Sequence, residues 1–290
     1  MALRASVLGI MLAFCRCASA LNPSLDINQY AHSAWTARDG FFKGTMTSIA
    51  QTPDGYLWVG TEFGLLRFDG VRSVSWQPPA GQHLPSNSIR SLLAARDGRL
   101  WIGTAEGLAS WKDLKLTHYA ELAGQDVFPL LEDRDGTLWA AGRTPAGTLC
   151  AIQTGSVHCY RNEGSFDRGA ATLYEDSGGN LWAAAETRLW RWKPGPPKVY
   201  PMPSPGVTHS QALSEDNNGP LLIATQSGIK RFVDGNPVAY PIPGGERQFR
   251  PHALLRDRDG GLWIGTYDRG LLHVHQDRTD LFTRSDGLSG

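Results

Sequence analysis

One eight-residue pattern occurs six times along the chain and constrains the fold more than any other feature. In its clearest copies it reads Asp-Gly-x-Leu-Trp-Ile-Gly-Thr, as in Asp97 to Thr104 and Asp259 to Thr266. The copies recur every 38 to 43 residues. Their equivalent central positions are Trp58, Trp101, Trp139, Trp182, Leu222 and Trp263. A period of roughly 40–45 residues is typical of a repeat architecture in which each copy is one supersecondary unit.

Each copy predicts four short strands. The first precedes the Asp-Gly turn, the second contains the tryptophan, and the third follows a glycine, as in Gly64 to Phe68. The fourth is a short outer strand, as in Leu116 to Tyr119. This predicts an all-β fold, a β-propeller of four-stranded blades. Six copies either close as six blades or form most of a seven-bladed disc, and residues 30–35 are a candidate closing strand.

The repeated residues are predicted to be structural. Trp58, Trp101, Trp139, Trp182 and Trp263 are expected to be buried between blades. The aspartates Asp54, Asp97, Asp135 and Asp259 recur at the same turn, which favours turn formation over catalysis. Residues 133–136 and 257–260 resemble the start of a calcium loop, but the later ligands are absent from the sequence. We therefore predict no metal site there.

The N-terminus reads as a secretory signal peptide over residues 1–20. Arg4 precedes the apolar stretch from Val7 to Phe14, and Ala18 to Ala20 form an A-x-A cleavage site. The propeller domain is then expected over residues 21–290, exported to the periplasm. Of four cysteines, only Cys150 and Cys159 follow the cleavage site, and such a pair in an exported chain is a candidate disulfide.

The hairpin that contains both cysteines predicts their pairing. Thr154 and Gly155 suit a two-residue turn, so Gln153 faces Ser156 and Cys150 faces Cys159. Counted outward from the turn, the cysteines form a non-hydrogen-bonded pair, in which the Cα atoms approach to about 4.5 Å. A disulfide can bridge such a pair with little backbone movement. A turn of three or four residues would shift the register and weaken this geometry.

Charge and motifs indicate few kinds of chemistry. The formal net charge is zero, which gives no electrostatic reason to expect nucleic acid as a partner. No nucleophile elbow and no phosphate-binding loop is visible. His273 and His275 lie on one face of a predicted strand, but no third ligand stands at a fixed spacing. We predict no catalysis, no cofactor and no metal site in this chain.

The repeat resembles that of the two-component regulator propeller family. The resemblance rests on the repeated motif and on the opening residues 35–40 and 49–58, and it covers almost the whole chain after residue 20. It implies the sensor of a periplasmic-sensing histidine kinase anchored in the inner membrane, with further blades and an output domain beyond this chain. It also implies a small extracytoplasmic ligand, for which the resemblance suggests a glycan. We read the chain as a truncated front part of such a receptor.

The loops between second and third strands are where specificity is expected, because they vary on a constant scaffold and reach one face. The alternatives are a propeller enzyme, a lyase or hydrolase, and a protein-interaction scaffold. The candidate ligand-binding residues are Glu62, Phe63, Glu106, Arg143, Glu186, Arg188, Gln226, Tyr267, Asp268 and Arg269.

Overall fold

The structure, a computed structural model, describes most of the chain after residue 43. The described ranges are 44–143, 147–153, 156–160, 169–185, 187–193, 196–202, 212–217, 219–244, 249–286 and residue 288. The predicted signal peptide, the candidate closing strand at residues 30–35 and Glu186 lie outside them. No helix in these ranges is long and apolar enough to cross a membrane.

The chain folds as a six-bladed β-propeller. Each blade is a four-stranded antiparallel sheet whose strands follow chain order. Blades 1 to 3 comprise β1 Met46–Gln51, β2 Leu57–Thr61, β3 Gly64–Phe68 and β4 Ser73–Trp76; β5 Ile89–Ala94, β6 Leu100–Thr104, β7 Gly107–Lys112 and β8 Lys115–Tyr119; β9 Asp126–Glu132, β10 Leu138–Arg143, β11 Thr148–Gln153 and β12 Ser156–Tyr160.

Blades 4 to 6 repeat the arrangement with shorter strands in blades 4 and 5. They comprise β13 Thr172–Glu175, β14 Leu181–Ala184, β15 Arg188–Arg191 and β16 Lys198–Pro201; β17 Leu213–Glu215, β18 Leu221–Thr225, β19 Gly228–Val233 and β20 Asn236–Ala239; β21 Pro251–Arg256, β22 Leu262–Thr266, β23 Leu271–His275 and β24 Arg278–Phe282. Short 3-10 helices follow blades 2 and 6, at Ala120–Leu122 and Arg284–Asp286.

The Asp-Gly pairs form the turns between first and second strands. Gly98 has φ +81° and donates its N–H to the carbonyl of Ala95 at 2.9 Å. A side chain at this φ would be strained, which explains the glycine. Asp97 accepts the N–H of Arg99 through its carboxylate at 2.9 Å. The aspartate therefore serves the turn, as the sequence predicts.

The second strand of each blade separates two interblade cores. Leu100 and Ile102 face blade 1, whereas Trp101 between them faces blade 3. The alternation follows from the period of two along a strand. Gly103 stands where a Cβ would come within 2.5 Å of the carbonyl oxygen of Val127 in blade 3. The small residue thus lets consecutive blades pack closely.

The repeated tryptophans are buried in blades 1 to 4, where their exposed fractions lie between 3% and 7%. Leu222 fills the same position in blade 5. Trp263 of blade 6 differs from the prediction, because its ring is only partly buried. It stacks on His273 at a centroid distance of 3.9 Å. Among the described residues, the apolar clusters join consecutive blades from 1 to 6, and none joins blade 6 to blade 1.

The two terminal blades expose positions that are covered elsewhere. Ile49 of blade 1 is 63% exposed, whereas its equivalent Leu213 in blade 5 is 6% exposed. Leu255 of blade 6 is 65% exposed, whereas its equivalent Ser214 is 2% exposed. In inner blades these positions face the preceding and the following blade respectively. Within the described residues, no neighbouring blade covers Ile49 of blade 1 or Leu255 of blade 6.

Blade 3 contains a disulfide between Cys150 and Cys159. The register pairs these residues across β11 and β12, and it pairs Gln153 with Ser156 beside the turn. The two Cα atoms are 4.1 Å apart. The pairing and the register are those that the two-residue turn predicts.

Candidate functional site

In blades 1, 2, 5 and 6 the threonine that ends the repeated motif holds the turn between the second and third strands. Thr104 donates its hydroxyl to the carbonyl of Gly107 at 2.9 Å and accepts the N–H of Glu106 at 3.3 Å. Thr266 makes the same pair of contacts with Gly270 and Arg269 in blade 6. One side chain thus fixes the turn from within and leaves the intervening residues free to vary.

These turns lie on one face of the propeller, because every blade has the same strand order. The predicted ligand-binding residues that the structure describes are therefore displayed on this face, which we call the turn face. Phe63 and Tyr267 are the exposed aromatics, at 68% and 61%. The remaining described candidates are exposed or half-buried, namely Glu62, Glu106, Arg143, Arg188, Gln226, Asp268 and Arg269.

Three of the predicted residues share a groove on blade 6. This groove of about 720 Å³ is lined by Tyr267, Asp268 and Arg269 of the turn and by hydroxyl and basic groups of residues 283–285. His252 contributes a second ring, 4.6 Å from that of Tyr267. The blade 6 groove combines aromatic surface, both charges and hydroxyl groups. The other described candidates do not line it.

The opposite face holds a cleft of about 610 Å³ between blades 3 and 4 that sequence reasoning missed. Tyr160 and Trp192 form an edge-to-face pair with centroids 4.9 Å apart in its wall. Lys193 donates to the buried carboxylate of Asp133 at 2.6 Å, which in turn accepts the indole N–H of Trp139 at 2.8 Å. The Asp-Lys pair joins the two blades, so its first role is structural.

The charges in this cleft stabilise each other. Burial alone would raise the pKa of Asp133, but hydrogen bonds from Lys193 and Trp139 lower it below its ordinary value. Burial alone would lower the pKa of Lys193, yet the bond to Asp133 raises it above its ordinary value. Both groups are therefore charged near neutral pH, and opposite charges at hydrogen-bonding distance account for the two directions.

Two imidazoles and a carboxylate meet on blade 6. His273 and His275 lie on one face of β23, close to Asp280. Each of the three residues offers one ligand atom, and these three atoms lie within 4.8 Å of one another. Asp280 follows on β24, directly opposite His273 in the register. The hydrogen bond from His275 lowers the pKa of Asp280 below its ordinary value. Sequence reasoning found the two histidines but not the carboxylate, which comes from across the sheet.

The comparisons with known proteins concern the repeat and the fold. A family model described as the two component regulator propeller matches residues 40–63, 83–106 and 248–268, which fall in blades 1, 2 and 6. No curated protein matches the sequence.

Solved propellers of diverse origin share the fold. The virginiamycin B lyase of Staphylococcus aureus is 15% identical, with a TM-score of 0.65 over 82% of this chain and 83% of that one. The extracellular domain of the putative hybrid two component system BT4673 from B. thetaiotaomicron is 19% identical, with a TM-score of 0.65 over 82% of this chain and 32% of that one.

PorZ of Porphyromonas gingivalis, a surface component of the type-IX secretion system, is 16% identical, with a TM-score of 0.59 over 78% of this chain and 38% of that one. At such identities the likeness concerns the fold alone. The chain is a six-bladed propeller in which the repeats of blades 1, 2 and 6 match the two component regulator propeller model.

Proposed function

We propose that this chain is the ligand-sensing propeller of an extracytoplasmic receptor and works by binding, without turnover. The observation that carries the proposal is the blade 6 groove, which gathers Tyr267, Asp268 and Arg269 on the turn face of a two-component regulator propeller. These residues depart from the repeat while the turn beneath them is fixed by Thr266. Variable residues on a rigid scaffold suit recognition.

The groove suits a small polar ligand such as a glycan. Tyr267 offers an exposed apolar ring with a polar tip, and aromatic groups of this kind are favoured where one side of a ligand is apolar. Asp268 and Arg269 add an acceptor and donors close to that ring, which fix orientation in a binding site. A glycan presents both hydroxyl groups and apolar C–H faces and therefore matches the groove.

The receptor that we propose is periplasmic in its sensing part. The signal-peptide pattern of residues 1–20 and the matched family support export. We propose further that the parent receptor carries more blades, an inner-membrane anchor and a histidine kinase as its output. Reading the genomic DNA downstream of the last codon tests this part, since a kinase in frame supports it and a different output domain contradicts it.

A glycan microarray probed with the purified chain, followed by calorimetry on the best oligosaccharide, tests the binding proposal. We expect Tyr267→Ala and Arg269→Ala to weaken binding at least about tenfold, a loss of about 1.4 kcal/mol. Arg143→Ala and Arg188→Ala test whether the turn face contributes beyond blade 6. Val71→Ala is the matched control, because Val71 is 78% exposed on a turn between third and fourth strands, at the opposite face.

Two outcomes contradict the proposal. One is binding that none of the four turn-face variants changes, since the ligand would then lie elsewhere. The other is turnover of the bound oligosaccharide, detected by chromatography of the products. Turnover would show that the chain is an enzyme and does more than bind its ligand. Circular dichroism of each variant separates lost binding from lost folding.

A further inference from the structure

Blade 6 places two imidazoles and a carboxylate on one face of its outer strands. His273 and His275 are two residues apart on β23, so their side chains project from the same face of the strand. The register sets Asp280 of β24 directly opposite His273, and paired residues share a face. His275 Nε2 already lies 2.8 Å from Asp280 Oδ2. The three side chains are between about one sixth and one quarter exposed, so the cluster is ordered by packing and still reached from solvent.

We propose that His273, His275 and Asp280 form a binding site for a divalent transition metal, with Zn²⁺ as the ion it fits best. Zn²⁺ binds imidazole nitrogen and carboxylate oxygen, and one class of zinc site has three protein ligands with a fourth position open. An oxygen-only cluster would favour Mg²⁺ or Ca²⁺, whereas two imidazoles favour Zn²⁺ and its neighbours. This site lies outside the blade 6 groove, and the proposal does not depend on ligand sensing.

Comparison with the other blades separates what belongs to the repeat from what is particular to blade 6. His273 Nε2 lies 3.0 Å from Asp257 Oδ2, and Arg231 makes the equivalent contact with Asp216 at 2.7 Å in blade 5. The His273–Asp257 pair alone is therefore a structural feature of the blade. The residues opposite the His273 position in blades 1 to 5 are Val74, Thr117, His158, Lys198 and Val238.

None of these five residues carries a carboxylate, and the positions equivalent to His275 also differ. They hold Asp69, Lys112, Gln153, Lys193 and Val233. Blade 6 is thus the one blade that joins two imidazoles and a carboxylate at these three positions. The combination is not required by the blade fold, because five blades form without it.

Blade 6 also lacks a side chain at Gly261, the position beside His273. A Cβ on Gly261 would stand 2.4 Å from His273 Nε2 and 2.5 Å from Asp257 Oδ2, so a side chain there would displace both groups. The other blades carry a side chain at this position, namely Tyr56, Arg99, Thr137, Asn180 and Pro220. Blade 6 alone has a glycine where the imidazole and its carboxylate partner lie.

The surroundings hold the ligands in place. Asp257 accepts the N–H groups of Gly261 at 2.7 Å and Trp263 at 3.0 Å, and it contacts His273. A carboxylate behind an imidazole fixes ring orientation at metal sites. Arg278 binds Oδ1 of Asp280 at 3.1 Å and leaves Oδ2 on the side of His275. Its positive charge opposes the metal, so we expect moderate affinity.

Calorimetric titration of ZnCl₂ into the tag-free, chelator-treated chain at neutral pH tests the proposal. We expect one Zn²⁺ per chain and at least about tenfold weaker binding in His275→Ala and in Asp280→Asn. Gly261→Ala should weaken binding similarly, because its methyl group displaces His273. His118→Ala is the matched control: its ring stacks on that of His83 at 5.6 Å, remote in sequence from the site. Co²⁺ should give the intense visible absorption of a four-coordinate site in the wild type.

Failure to bind Zn²⁺ overturns the proposal, as does binding that Asp280→Asn and His275→Ala leave unchanged. Equal loss in His118→Ala would also overturn it, because the ion would then bind scattered histidines. Thermal unfolding of each variant accompanies the titration. Should His275→Ala fail to fold, the near-isosteric Asp280→Asn decides the question, since it changes one oxygen ligand and keeps the volume.

Discussion

A carboxylate six residues before the tryptophan holds the indole in half of the blades. Trp139, Trp182 and Trp263 donate their indole N–H to Asp133, Asp176 and Asp257 at 2.7 to 3.0 Å. In blade 1 the hydroxyl of Thr52 replaces the carboxylate and accepts from Trp58 at 2.9 Å. A buried indole N–H needs such an acceptor. These residues therefore fix the largest side chain of the repeat.

Substitution of Asp133 should destabilise the propeller. Asp133→Asn removes the negative charge of a buried carboxylate that Lys193 contacts at 2.6 Å. We expect the free energy of unfolding to fall by about 2 kcal/mol, which is typical of a hydrogen bond to a charged group. Asp135→Asn is the control, because its side chain is 70% exposed and 3.4 Å from the same lysine; it should cost at most about 0.5 kcal/mol. Urea denaturation at pH 7 measures both, and equal losses would contradict the assignment.

The Asp133–Lys193 pair also predicts how the free energy of unfolding changes with pH. Because the folded-state pKa of Asp133 is lowered, its contribution is present above the unfolded pKa of about 3.9 and is lost as pH falls through the folded value. The difference in unfolding free energy between wild type and Asp133→Asn should therefore shrink below about pH 4. A difference that stays constant down to pH 2 would show that the charge of Asp133 is not what stabilises.

At the scale of the element, the turns decide how far the sequence predicts the blade. The Thr154-Gly155 turn is recognisable, so the register that pairs Cys150 with Cys159 followed from the sequence. The turn between β23 and β24 is Gln276-Asp277, and both residues have positive φ without a glycine. No turn signal marked it, so the register stayed open. For this reason the approach of Asp280 to the two histidines required the structure.

The disulfide should contribute modestly to stability. It closes a loop between residues nine apart in sequence, for which chain entropy gives roughly 2 to 3 kcal/mol. We expect the double variant Cys150→Ala, Cys159→Ala to lose stability of this order relative to the oxidised wild type. Dithiothreitol should lower the melting temperature of the wild type and leave the double variant unchanged. Two thiols that alkylate without prior reduction in exported protein would show that the bond does not form there.

At the scale of the whole molecule, the period of the motif predicted six four-stranded repeats and the order of their strands, but it left open whether they form a six-bladed propeller or most of a seven-bladed one. The sequence also predicted a shared face for the variable turns, since strand order alone determines it. It could not show which turn residues come together, because the blade 6 groove is also lined by residues 283–285 beyond the last strand. It likewise could not show that Trp263 is less buried than its equivalents, because identical motifs meet different neighbours in inner and terminal blades.

The stability of such a repeat array is approximately a sum over blades and the interfaces between them. Leu131 of blade 3 packs into the core shared with blade 4, so Leu131→Ala should cost about 2 kcal/mol, at the lower end for a leucine truncation because the residue is partly buried. Leu255 occupies the equivalent position in blade 6 but is 65% exposed. Leu255→Ala should therefore change the unfolding free energy by at most about 0.5 kcal/mol.

Urea denaturation of the two variants at equal protein concentration makes the comparison, because both delete the same atoms from the same repeat position. A large loss for Leu255→Ala would mean that the outer face of blade 6 is covered in solution. Repeating the titration at tenfold higher concentration distinguishes the cover: a loss that grows with concentration indicates a second copy of the chain, whereas a constant loss indicates a segment of the same chain. A small loss at every concentration would show that Leu255 lies on a face that this chain leaves uncovered.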